Sequence, residues 1–291
     1  MLRHEKTAIS FRSKSLYFLI RSTYFLHQLQ YEKAETLLTK HIALYEQYPH
    51  FIAASPGNYL NALNELLLVH FRLRRYDQAL KIIQHLRMLP DTSHIRKIRS
   101  HRFKMVLLSW TFPVELAIAL RTGNVKTVLY HLKEQEEYFV RHAAVMESQK
   151  RAEIYLALAA CYFELRDSKK AILHIQKILQ DSDSMRWRGT YFMAHMLQLI
   201  IHYEAENSDL LNYLVLALKR MTTKSKSQFN SEKVMNEFVG KLLRFYRERN
   251  PREMFLSYHK KFKQLKKDRH EEPLYDYFDF TRWLEKKLMR L

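Results

Sequence analysis

Residues 155–179 read YLALAACYFELRDSKKAILHIQKIL. Tyr155, Leu158, Ala159 and Tyr162 recur at three- and four-residue spacing, and after a polar stretch the beat resumes at Ala171, Ile175, Ile178 and Leu179. Apolar residues at that spacing share one face of a 3.6-residue helix, so the segment predicts two amphipathic helices joined by a short polar turn. The same double beat appears at Leu63, Leu66, Leu67, His70 and Phe71, followed by Ala79, Ile82, Ile83 and Leu86. No stretch alternates strictly enough for a strand. Breakers separate the blocks: Pro49, Ser55-Pro56-Gly57-Asn58, Pro90-Asp91-Thr92-Ser93, Asp181-Ser182-Asp183-Ser184, Asn207-Ser208-Asp209 and Asn250-Pro251. With 4 glycines in 291 residues, well below the usual ~7%, the chain has little material for β-turns or phosphate-cradling loops. The fold class expected is all-α.

Turn tripeptides repeat as well. Tyr31-Glu32-Lys33 precedes Ala34, and Tyr76-Asp77-Gln78 precedes Ala79; Gly123-Asn124-Val125-Lys126 and Asn207-Ser208-Asp209-Leu210 read as degenerate copies. Together with Tyr155, Leu158, Ala159, Tyr162, Arg166, Asp167, Ala171 and Ile175, these residues resemble the tetratricopeptide repeat (TPR). That resemblance implies an α–α superhelix in which a small residue lets each second helix approach the first. Taking Ala34, Ala79, Val128, Ala171 and Asn212 as equivalent gives spacings of 45, 49, 43 and 41 residues, longer than the family's ~34. The expectation is therefore a TPR-like solenoid of about five irregular helix pairs over residues 1–220, with a HEAT-like or generic α–α superhelix as the alternative. Residues 277–285, YFDFTRWLE, resemble the C-terminal segment of bacterial helical-repeat proteins, a likeness that implies no activity.

Past residue 221 the pattern changes. Three helices are expected at about 229–248, 251–268 and 274–289, with Asn250 as N-cap, Pro251 opening the middle helix and Glu253 reaching back. A solenoid must close its open core, so residues 221–291 are read as a basic C-terminal helical cap packed on the repeats.

Catalytic and metal chemistry finds little footing. Cys161, the only cysteine, sits between Ala160 and Tyr162 on an apolar helix, the setting of an inert thiol. Among 15 histidines no two are three or four residues apart, and His195 and His202 lack an evident third ligand. Neither a nucleophile elbow nor a phosphate loop occurs. The adjacent acids Glu136-Glu137 and Glu271-Glu272 diverge by about 100° on a helix and read as solvated surface. The expectation is a non-enzymatic protein with no metal and no cofactor. The longest apolar stretch, residues 105–120, contains Pro113 and Glu115 and falls short of the ~20 residues of a membrane span. No secretory apolar run follows the N-terminus, so a cytoplasmic protein without a membrane span is expected.

Charge and repeat register supply the candidate sites. The net charge of +19 partitions as +10 over residues 1–104, −1 over 105–218 and +10 over 219–291. Two clusters stand out: Arg96, Lys97, Arg99, Arg102 and Lys104, and Lys260, Lys261, Lys263, Lys266 and Lys267. The second lies on a helix whose stripe is Phe255, Tyr258, Phe262 and Leu265. Three roles stay open for it: a docked cap helix, a nucleic-acid or other polyanion surface, and a membrane-surface helix. The family register places Asn61, Asn64, Leu68, Phe71 and Arg72 on the inner face of one first helix, and Phe163 and Glu164 on another. Solenoids present that face to a protein or peptide, and such binding is the function expected. Binding of nucleic acid through the basic ends is the alternative.

Overall fold

The computed structural model describes residues 8–92, 100–181, 183, 188–223, 229–246 and 251–290. Among them every regular element is helical: the chain is all-α, with fifteen α-helices. It forms two compact units. The first comprises residues 1–118 and 137–141, and the second comprises 119–136 and 142–291. The expected boundary near residue 220, drawn on repeat content, does not coincide with this division; the C-terminal helices belong to the second unit.

In the first unit α1 (Phe11–His27), α2 (Tyr31–Gln47), α3 (Pro49–Ala54), α4 (Pro56–Arg72) and α5 (Tyr76–Thr92) follow in order. Neighbours in sequence pack together, α1 on α2 and α4 on α5, and α2 packs on α4 across the short α3. Pro49 and Pro56 both occupy the first turn of their helices, where the missing N–H has no intrahelical partner to lose. Pro90 breaks nothing: it sits within the last turn of α5. The short helix α3 lies between α2 and α4 and packs on both.

Helix α6 (His101–Thr122) starts in the first unit and ends in the second. At 22 residues it extends past the apolar stretch 105–120 at both ends. Among the described residues it is the one helix long and apolar enough to cross a membrane, and two-thirds of its apolar window is buried in protein. Phe112 of α6 meets Phe139 of α8 (Lys133–His142), ring centroids 6.3 Å apart.

The second unit continues with α7 (Val125–His131), α9 (Ser148–Glu164), α10 (Ser168–Leu179), α11 (Arg188–Glu204) and α12 (Ser208–Thr223). Helix α9 packs on α10, α10 on α11 and α11 on α12, and α9 also touches α11. Three helices follow: α13 (Asn230–Tyr246), α14 (Arg252–Leu265) and α15 (Phe280–Leu288). Helix α14 begins one residue later than expected, with Pro251 at its cap; Asn250 lies outside the described residues.

One turn recurs through the chain. Leu29, Arg74, Gly123, Arg166 and Glu206 all have positive φ, between 54° and 84°. Each stands two residues before the next helix, α2, α5, α7, α10 and α12 in turn. In each case the following residue donates its N–H to a carbonyl five residues back: Gln30 to Phe25, Arg75 to His70, Asn124 to Ala119, Asp167 to Tyr162 and Asn207 to His202, at 2.9–3.1 Å. This is the left-handed helix stop that satisfies orphan carbonyls and reverses the chain. Four of the five sites lack glycine, so the backbone bears a steric cost there that glycine would not.

The turn also fixes the register. Five residues beyond each left-handed residue stand Ala34, Ala79, Val128, Ala171 and Leu211; the fifth equivalent is Leu211 rather than Asn212. Ala34, Ala79 and Ala171 are fully buried, so the second helix approaches the first at a methyl group.

Candidate functional site

The inner-face candidates divide between the units. On α4, Asn61 and Leu68 are exposed and Asn64 and Arg72 half-buried. Phe71 is 3% exposed. Its ring lies 6.3 Å from that of Tyr76, with the Arg72 guanidinium 5.6 Å away. Phe71 thus packs between helices rather than presenting a surface, because helical periodicity alone does not separate an inner face from an interhelical one.

In the second unit Phe163 and Glu164, at the end of α9, are engaged by the chain's own C-terminal segment. Phe278 stacks edge-on against Phe163 at 5.9 Å, and Lys286 pairs with Glu164. The pattern extends to the helices on either side. Arg121, Glu164 and Glu204 each stand two residues before a left-handed turn residue, at the ends of α6, α9 and α11. Asp276 pairs with Arg121 at 3.0 Å, and Lys287 pairs with Glu204 at 2.8 Å. Trp283 Nε1 also donates to Glu204 at 2.8 Å, and Arg282 donates to the Leu120 carbonyl at 2.6 Å. Residues 276–287 therefore lie along three equivalent helix ends. A cation at a helix C-terminus, as with Arg282, also complements the helix dipole.

The basic candidates are equally distinct. Arg96, Lys97 and Arg99 lie outside the described residues; Arg102 and Lys104 are exposed at the start of α6. On α14 the stripe faces inward, with Phe255, Tyr258 and Phe262 at most 1% exposed. These rings join Phe238, Phe280 and Trp283 in an aromatic core whose centroids lie 4.7–6.1 Å apart between partners such as Phe262 and Phe280 or Phe255 and Trp283. The stripe of this helix is thus buried against α13 and α15. Lys261 pairs with Glu237 at 3.3 Å and Lys266 with Asp279. Among the described residues, Lys260, Lys263 and Lys267 make no ion pair, and all three are exposed.

Two acids behave differently from their sequence reading. Glu271 is 3% exposed, and its two oxygens accept the backbone N–H groups of Asn230 (2.7 Å) and Ser231 (2.9 Å). It caps α13 from 40 residues away, where a carboxylate also meets the positive end of the helix dipole. Nearby, the Tyr275 hydroxyl lies 2.7 Å from Ser231 Oγ, and burial pushes its pKa up to about 12. Glu136 is half-buried and accepts the Tyr162 hydroxyl at 2.9 Å, with His174 Nε2 3.6 Å away. Burial, then that same carboxylate, raises the tyrosine's pKa. Neither acid was distinguishable from solvated surface in sequence, since each partner is remote along the chain.

Cys161 is buried, and burial together with Glu136 and Glu164 drives its pKa well above the usual thiol range, the opposite of an activated nucleophile. Among the described residues no three His, Cys, Asp or Glu side chains converge as metal ligands. Burial lowers the pKa of His195 and of His202 on α11. Comparison of the chain with protein-family models, curated proteins and solved structures finds no match.

Proposed function

We propose that the chain is a non-enzymatic helical-repeat scaffold, a TPR-like superhelix of irregular pairs, that binds a protein or peptide segment along the ends of its first helices. The observation that carries this reading is the seating of residues 276–287 on Arg121, Glu164 and Glu204. Three equivalent positions each hold a charged partner from a segment crossing successive pairs, which is how a solenoid takes a ligand. The recurrent left-handed turn and the packing of α2 on α4 and α10 on α11 support the tandem arrangement. Within the second unit these positions are taken by the chain itself. The corresponding surface of α4, with Asn61, Asn64 and Leu68 and with Arg72 in the place of Glu164, is the one we assign to a partner.

A photo-crosslinking residue placed at Leu68 tests this, with Leu173 on α10, also an exposed leucine, as the control. Position 68 is expected to trap a discrete partner that position 173 does not. Identical products from both positions, or none from position 68, would sink the assignment.

A further inference from the structure

Helix α14 carries a second surface that the scaffold reading does not use. Successive helical residues turn by 100°, so Arg252, Leu256, Lys260 and Lys263 fall within a sector of about 80° on the side opposite Tyr258 and Phe262. Lys267 follows just past the helix end, then Arg269 and His270, all exposed. Within α14 the one acid is Glu253, seven residues before Lys260 and in the first turn, where it complements the helix dipole; past the helix end Asp268 stands beside Lys267, with its Oδ1 accepting the His270 backbone N–H at 2.9 Å. The lysines that do find carboxylates, Lys261 and Lys266, lie towards the flanks, where Glu237 and Asp279 reach them. The outward lysines are left un-neutralised in a chain of net charge +19.

We infer that this ridge binds the phosphate backbone of duplex nucleic acid, without reading its sequence. Charge complementarity selects a polyanion: with a rise of 1.5 Å per residue, Lys260 to Lys267 spans roughly 10 Å, and a duplex carries one phosphate charge per ~1.7 Å of its axis. Two alternatives lose on geometry. A membrane-surface helix needs a free apolar face, and the apolar face of α14 is buried against α13 and α15, with Phe262 fully buried and Phe255 and Tyr258 at 1% exposure. Single strands are held largely by stacking of bases on exposed aromatic rings, and the aromatic residues of α14 point inward while its outer face offers only Leu256, 39% exposed. A row of flexible lysines without rings or base-reading forks favours backbone contacts alone. This inference stands independently of the α4 surface.

The test uses fluorescence anisotropy of the full chain with a labelled mixed-sequence duplex, a single strand of the same length and anionic vesicles, each over graded KCl. The variants are Lys260→Ala/Lys263→Ala/Lys267→Ala and, as a control at exposed lysines elsewhere, Lys126→Ala/Lys169→Ala/Lys177→Ala. All six are surface changes, and unchanged circular dichroism confirms folding. The duplex is expected to bind best. At about 0.9 per phosphate contact, the ridge variant should lose about 2.7 from the slope of log affinity against log salt, and so between about two and three orders of magnitude in affinity near 0.1 M salt. The control should retain most of its affinity. No duplex binding at low salt, equal loss in both variants, or tighter binding to the single strand or vesicles overturns the proposal.

Discussion

Replacing Arg74 or Arg166 by glycine should stabilise the protein. Both residues hold φ near +60° (58° and 62°) in the turns after α4 and α9, and both side chains are exposed. A left-handed conformation costs an L-residue about 1–2 kcal/mol because Cβ crowds the following carbonyl oxygen. Glycine removes that cost but gives back about 0.5–1 kcal/mol through its freer unfolded chain. The net expected gain is about 0.5–1 kcal/mol per site. Arg74→Ala and Arg166→Ala separate this backbone term from loss of the arginine, since alanine keeps the Cβ. Glycine should therefore exceed alanine by about 1 kcal/mol at each position. Gly123, at φ 84°, gives the reverse experiment. A Cβ there would meet Arg282 Nη2 at an ordinary 3.7 Å, so Gly123→Ala should lose about 1 kcal/mol through conformation rather than collision. Urea titration followed by circular dichroism measures each difference, with unchanged slopes showing that the unfolded state is comparable. Glycine less stable than alanine at both arginine sites would refute the strain argument. So would a Gly123→Ala variant as stable as the parent.

Glu271→Gln should cost about 2 kcal/mol in the same titration. The substitution removes the charge facing the two N–H groups of α13 and leaves one of them without its acceptor; a loss below about 0.5 kcal/mol would show that the cap is dispensable. Acidification should destabilise the fold in a defined window. His41 is buried, lies 2.8 Å from Ser15 Oγ, and has its pKa lowered by burial to about 4. A depressed histidine pKa means that the unfolded chain takes the proton first. Its contribution is therefore complete above pH ~6.5 and lost as pH falls towards 4, about 3 kcal/mol in all. Burial lowers His70, His195 and His202 as well, adding to the same trend. Urea midpoints measured between pH 7 and 4 check the slope, which should be shallower in His41→Gln; a midpoint that rises on acidification would contradict it.

The helices and the junctions between α1 and α2, between α4 and α5, and between α9 and α10 were legible because local residues encode them. Tyr31 with Ala34 and Tyr76 with Ala79 mark a helix start and a close approach only a few residues apart. Where the marks thin, the register slipped: among Asn207, Ser208 and Asp209 nothing signals which residue turns left-handed, and the fifth equivalent moved from Asn212 to Leu211. Leucine, arginine and glutamate at the turn position give no sign of positive φ, so the repeated stop was visible only at Gly123. The site was less legible still. Glu271 reads as surface until its helix end, 40 residues upstream, is placed beside it. Phe71 reads as a groove residue until Tyr76 and Arg72 cover it. On α14, by contrast, one helix carries both the stripe and the lysines, and their separation onto opposite faces followed from the 3.6-residue period.

The seating of residues 276–287 on the ends of α6, α9 and α11 has a consequence for synthesis of the chain. Helices α1 to α5 find their partners among immediate neighbours and have them as each emerges from the ribosome. The second unit differs: Arg121, Glu164 and Glu204 wait for Asp276, Lys286 and Lys287, made some 80–155 residues later, and the aromatic core waits for Phe280 and Trp283. During that interval Phe238, Phe255 and Phe262 have no Phe280 or Trp283 to pack against, the kind of exposed surface that draws chaperones. Premature termination between residues 246 and 276 would thus leave the first unit's helix contacts in place while stranding the second before closure.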